Sequence, residues 1–190
     1  MPAVEVDGVR IPMTVAGHAG LELCNTRAGW GEAAPKEYLL SYEHLAVWAH
    51  YAGLLPVTAK ACAAEGAAVL RRALDFREAY YEALVRGSAD WEQLSAETRR
   101  LGFGLAPVRD TALARVDLGS DAEAPLRAAV LAAVEVLTSP MGRDVRACPG
   151  AGCGWVFYDP RGRRRWCTMA ICGNRAKAAR HAALVRSAKP

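Results

Sequence analysis

Four of the six cysteines lie within 25 residues, at Cys148, Cys153, Cys167 and Cys172, in the spacing C-x4-C-x13-C-x4-C. Two close pairs separated by a stretch long enough to double back are the pattern of a metal site. Four thiolates complete a tetrahedral Zn2+ at about 2.3 Å each and leave no position for water, so one structural zinc is expected. Unconnected thiols and disulfides are the alternatives, and such clustering argues for metal before either. The first pair, CPGAGC, carries Pro149, Gly150 and Gly152, which suit a tight knuckle. The second, CTMAIC, runs into a tail without proline before its last residue, which reads as a helix with Cys172 near its start. Between the pairs, WVFYDPRGRRRW alternates like a hairpin turning at Asp159-Pro160-Arg161-Gly162. Knuckle, hairpin and helix give a treble-clef-like order. Cys24 and Cys62 stand alone in apolar contexts and read as small core residues.

Charge is divided in the same way. Residues 1–140 hold 13 Lys+Arg against 18 Asp+Glu, whereas residues 141–190 hold 11 against 2, within an overall net charge of +4. Such polarity marks an attached module with an anionic partner, most often nucleic acid. A zinc tetrathiolate is itself formally −2, which accounts for two or three arginines but not for the whole surplus. The composition, 52% hydrophobic and 23% charged over 190 residues, is that of one globular domain with a small appendage. No segment approaches the roughly 18 apolar residues of a membrane span. The N-terminus, MPAVEVDGVR, lacks the basic and apolar regions of a signal peptide, so a cytoplasmic location is expected.

Residues 1–140 read as a mostly helical domain with a small sheet. One or two strands are expected within Val9 to Trp30. Helices follow over Tyr42 to Ala52, capped by Ser41, over about Ala59 to Arg86 ending at Gly87, and over Asp90 to Leu101. Two strands over Phe103 to Arg109 and Leu113 to Leu118 precede an Ala/Val/Leu-rich helix with body Leu126 to Leu137, opened by Ser120 or Asp121. Ser139, Pro140 and Gly142 then break the chain, placing a domain boundary at 140 and the zinc module over 141–190. The fold class is α+β with a C-terminal zinc finger.

The run RRWCTMAICGNRAKAARH resembles the CGNR zinc finger, through the tetrad Cys172-Gly173-Asn174-Arg175, and CPGAGCGWVFYDPRGRRRWC fits the same pattern. Upstream, a strand ending Leu21-Glu22-Leu23-Cys24-Asn25-Thr26 resembles the acid-x-x-Asn-Thr signature of the ABATE domain, with Glu22 where Asp is usual. The segment Trp48 to Leu55 and the helix leading into LTSP are similar to that domain as well. The resemblance implies a bacterial transcription regulator.

Candidate nucleic-acid contacts follow from the residues. At about 100° per residue, Asn174, Lys177, Arg180 and His181 share one helical stripe, while Arg175 lies on another side, placed to reach back to the zinc cluster. Arg163, Arg164 and Arg165 alternate across the expected strand, so at least one set is exposed. A basic helix and hairpin suit phosphate contact with DNA, and Asn174 is a candidate for base contact against capping or sulfur bonding. Trp155, Phe157 and Trp166 read as the miniature core of the module. In the N-terminal domain Asn25, Thr26, Trp30 and Trp48 are candidate pocket residues for a small-molecule effector, against turn, cap and core roles. Homodimerisation is a further candidate role of that domain. No nucleophile, base pair or carboxylate pair in a recognisable setting is present, so an enzyme is not expected. The competing class is a protein-interaction or sensing module whose finger is purely structural; it would bury the 174/177/180/181 stripe against protein.

Overall fold

The computed structural model describes residues 2–102, 104–107 and 114–187. Strands β1 (Ala3–Val6) and β2 (Val9–Pro12) form an antiparallel ribbon in which Val9 and Ile11 are buried and Arg10 faces out, the alternation of a half-buried strand. The rest of the segment up to Thr26 is not strand. Residues Ala19–Glu22 form a helical turn, α1, and Cys24–Thr26 a 3-10 turn before the short β3 (Arg27–Ala28), which pairs with β4 (Lys36–Glu37). Two facts account for this departure. His18 caps α1 by accepting the Gly20 N–H on Nδ1, and Leu21 through Thr26 are buried without alternation, because neighbours cover them on every side.

Helix α2 (Tyr42–Tyr51) starts where Ser41 accepts the His44 N–H, as its sequence implies. The long helix α3 (Ala63–Tyr81) begins later than its apolar stripe suggests and continues as a π turn, Glu82–Arg86, to Gly87. Asp90 caps α4 (Trp91–Thr98) through the Gln93 N–H. Strands β5 (Gly104–Pro107) and β6 (Ala114–Asp117) pair antiparallel, and the turn expected between them lies outside the described residues. Helix α5 (Ala124–Thr138) accepts Pro125 in its first turn, where no N–H is needed, and buries most of its circumference. A 3-10 turn, Pro140–Asp144, leads to β7 (Val145–Ala147), which pairs with β8 (Val156–Tyr158). A π turn, Met169–Gly173, then opens into α6 (Asn174–Ser187).

The main core lies among α2, α3 and α5, around Trp48, Phe76, Tyr80, Leu126, Val130 and Val136. Val145 and Val156, from beyond the break at Pro140, belong to it too. A second buried cluster joins Ala28 and Tyr38 to Trp155, Phe157 and the four clustered cysteines. The β7–β8 ribbon and the cysteine cluster are therefore seated in the N-terminal part.

Candidate metal centre and nucleic-acid interface

The knuckle Cys148–Cys153 sits at the tip of the β7–β8 ribbon, closed by Cys148 N–H donating to Trp155 O at 2.7 Å and Cys153 N–H to Gly150 O at 2.9 Å. The hairpin thus folds around the knuckle and not around Asp159-Pro160-Arg161-Gly162. The expected turn at Asp159 exists, with Gly162 N–H donating to Asp159 O, but among the described residues no second strand follows it. The buried Asp159 carboxylate accepts the amides of Arg163 and Arg164, both at 3.0 Å, so those N–H groups are withdrawn from any ladder. The free edge of β8 is used instead by the N-terminal part: Tyr158 N–H donates to Ala16 O at 2.8 Å.

All four cysteines are buried and their sulfurs lie within 4.8 Å of one another. Cys153 and Cys167 are 3.7 Å apart, Cys167 and Cys172 3.6 Å, far beyond a disulfide bond and close to the edge of about 3.8 Å of a tetrahedron with 2.3 Å metal–sulfur bonds. The donor set, its geometry and its closure from water fit one structural Zn2+. Without a cation the thiols cannot all ionise. Hydrogen bonding from Cys153 and Cys167 draws Cys148 down to about 2, while the same sharing holds Cys153 up at about 12 and Cys167 higher still. A Cβ on Gly173 of the tetrad would meet the end of the exposed Met169 side chain, which can move aside, and Trp166 Cδ1 at 3.2 Å. Arg175 reaches back to the knuckle, donating from Nη1 to Ala151 O at 2.9 Å.

The candidate contacts separate into two groups. Arg164 is committed to structure: Nη2 donates to Val15 O at 2.9 Å and to Cys167 O at 2.6 Å, with the guanidinium 4.4 Å from the Phe157 ring centroid. Asn174 is neither cap nor sulfur ligand; its Nδ2 donates to Ala170 O at 3.1 Å, one turn back. Arg163 and Arg165 are exposed, Arg165 over Trp166 at 5.1 Å, beside a cleft of about 410 Å³ that also includes Thr168 and Met169. Lys177, Arg180 and His181 are exposed along α6, which buries no residue at all. Among the described residues no carboxylate pairs with Arg163, Arg165, Lys177 or Arg180.

The four candidate pocket residues hold the molecule together instead. Asn25 is fully buried: Oδ1 accepts the Val156 N–H at 2.8 Å, and Nδ2 donates to Val156 O at 3.0 Å and to Glu22 Oε2 at 3.2 Å. Thr26 donates to Leu23 O and accepts from Arg77, itself bidentate on Glu37. Trp30 donates to Cys24 O and stacks on Tyr81 with centroids 3.7 Å apart. Trp48 is core. Tyr81 in turn donates to Gly154 O, and Gly154, at φ 70, lies so close that a Cβ would come within 2.6 Å of Trp30 Cβ. The Trp155 indole donates to Arg27 O and Gly29 N–H to Cys153 O, which completes the seam between the two parts. Nothing in the local sequence of either part announces these pairings.

Residues 145–183 match the model of the CGNR zinc finger, and residues 17–140 match that of the ABATE family, described as "Putative stress-induced transcription regulator". A search of curated proteins finds none that matches. Among the described residues no helix is long and apolar enough to cross a membrane.

Proposed function

Because the chain belongs to the ABATE family and carries a CGNR zinc finger, we propose that it is a cytoplasmic, non-enzymatic transcription regulator that binds duplex DNA. The observation that carries this reading is α6: a helix of 14 residues, rooted in the zinc site, with Lys177, Arg180 and His181 exposed and nothing packed over them among the described residues. A helix of about 10–12 Å diameter enters a major groove about 12 Å wide, and Arg163 and Arg165 stand on the loop beside its root to meet phosphates. A finger serving only its own N-terminal part would have buried this stripe. Arg164 leaves the contact set, since its guanidinium is spent on Val15 and Cys167, and Asn174 is retained at the root of the helix through its exposed amide.

The test is a titration of the zinc-loaded full chain with short duplex DNA across a salt series. With about five phosphates neutralised, log K falls against log salt at a slope of about −4 to −5, and Lys177→Ala flattens it by about one at unchanged zinc content. Binding no tighter than about 100 μM at physiological salt would refute the reading. The exposed Leu184 and Val185 on the same helix would then favour a protein partner.

A further inference from the structure

We infer that the cleft formed by Val15, His18, Ala19 and Glu22 with Tyr51 and Ala52 at the end of α2 is a binding site for a small organic ammonium ion, its nitrogen on the Glu22 carboxylate and its apolar body along Tyr51 and Ala52. The cleft has a volume of about 520 Å³, within the range of small-molecule sites. Glu22 lines it yet is only 4% exposed. Its Oε1 accepts the Ala16 N–H at 2.6 Å and its Oε2 the Asn25 amide at 3.2 Å; with the further Val15 N–H, about one of a carboxylate's four acceptor positions stays open.

A carboxylate buried this deeply ordinarily has a cation against it. Among the described residues Glu22 has none in ion-pair contact. Arg164, on the loop after β8, aims Nη2 at two carbonyls. His18, at the start of α1, accepts the Gly20 N–H on Nδ1 and turns Nε2 to Glu135 of α5, 3.6 Å away. Tyr51 from α2 brings a ring and no charge. Burial accordingly pushes the Glu22 carboxyl up to about 7, against the hydrogen bonds of Ala16, Asn25 and Val15 and the more distant charge of Arg164. A bare metal ion is poorly served, because among the described residues only the cysteine cluster gathers three or more ligating side chains. An ammonium group supplies both the charge and the donors, and Val15, Ala19, Tyr51 and Ala52 supply an apolar wall for its carbon skeleton.

The site adjoins the finger. Val15 O holds Arg164, Ala16 O holds Tyr158, and Asn25 bonds Glu22 on one side and Val156 on the other. The inference stands apart from the DNA reading.

The test is calorimetric titration of the zinc-loaded full chain, without nucleic acid, with 2-phenylethylammonium and n-butylammonium, and with 2-phenylethanol as neutral analogue. The expected Kd for the aromatic ammonium is about 1 mM or tighter, with the alcohol at least about tenfold weaker. Between pH 7 and pH 6 the Kd rises toward about tenfold per unit, because the bound form requires Glu22 to give up a proton. Glu22→Gln abolishes binding. Ala52→Leu, which narrows the cleft beside Tyr51 and touches none of the Glu22 hydrogen-bond partners, weakens it at least about tenfold and decides the matter if the Gln variant does not fold. No heat with either ammonium at about 10 mM, equal binding of the alcohol, or wild-type binding by Ala52→Leu would overturn the inference. Since the titration contains no DNA, its failure leaves the nucleic-acid reading standing, and failure of the DNA titration leaves this one standing.

Discussion

Asn25→Ala tests whether the two parts of the chain fold as one. Beside the β7–β8 ribbon Trp155 O accepts the Cys148 N–H and Phe157 stands opposite Arg146, whereas the N–H and C=O of Val156 point the other way, at the Asn25 amide. One side chain thus does the work of a neighbouring strand. Truncation to Ala leaves both buried Val156 groups without that partner and removes the donor to Glu22 Oε2. Each buried orphaned group costs about 1–3 kcal/mol, so a loss of about 3–4 kcal/mol is expected, a large part of a domain's usual stability of about 5–15 kcal/mol. For a chain of this length that is a fall in Tm of about 6–16 °C. The measurement is a thermal melt of the zinc-loaded protein followed by circular dichroism and, in parallel, by release of zinc to a chromogenic chelator. Both signals move down together if the seam is shared. A variant within about 1 kcal/mol of wild type, or one in which the chelator transition shifts alone, would refute the reasoning.

The purified protein carries one zinc per chain, measured by metal analysis, and Cys167→Ser abolishes it; because Trp155 and the cysteines share a buried cluster with Ala28 and Tyr38, the melting of residues 27–38 follows, read by hydrogen exchange. Zinc affinity rises with pH: the metal-free Cys153 and Cys167 hold their protons at neutral pH, so binding expels at least two, and log K gains at least about two per pH unit in competition titrations. Residues 1–139 alone lose Val145 and Val156 from the main core and the seam partners of Asn25, Arg27 and Gly29; the expected product melts broadly, and a sharp melt with wild-type enthalpy per residue would show that the N-terminal part is self-sufficient.

The metal ligands were legible in the sequence because four thiols at that spacing have one good chemical use. Helices α2 and α4 were legible near Ser41 and Asp90, since caps act within a few residues of themselves, whereas α5 opens neither at Ser120 nor at Asp121 but at Ala124, after Glu123, because the Asp121 carboxylate takes the Glu123 N–H in the turn before the helix. The segment Leu21 to Thr26 was misread as strand because burial on all sides erases the periodicity that separates strand from helix. The second strand after Asp159 was misread because alternation in WVFYDPRGRRRW says nothing of where the amides go, and a single carboxylate takes two of them. Asn25 was marked by the acid-x-x-Asn-Thr resemblance and read as a candidate pocket residue, but its partner is 131 residues away, and no local rule connects them. Arg164 looks like its neighbours Arg163 and Arg165 in sequence; only the approach of Val15 distinguishes it.

Helix α6 has an unusual debt to the metal. It is 14 residues long and buries none of them, whereas isolated helices shorter than about 12–15 residues are marginal in water, mainly because the first turn must be fixed before any later one profits from it. That nucleation penalty, a factor of about 10⁻³ or about 4 kcal/mol, is met here by the π turn Met169–Gly173, whose Cys172 is a zinc ligand. The ion therefore acts as a seed crystal for the helix: with it in place the winding propagates outward into solvent one residue at a time, and on its removal there is no first turn left from which α6 could regrow.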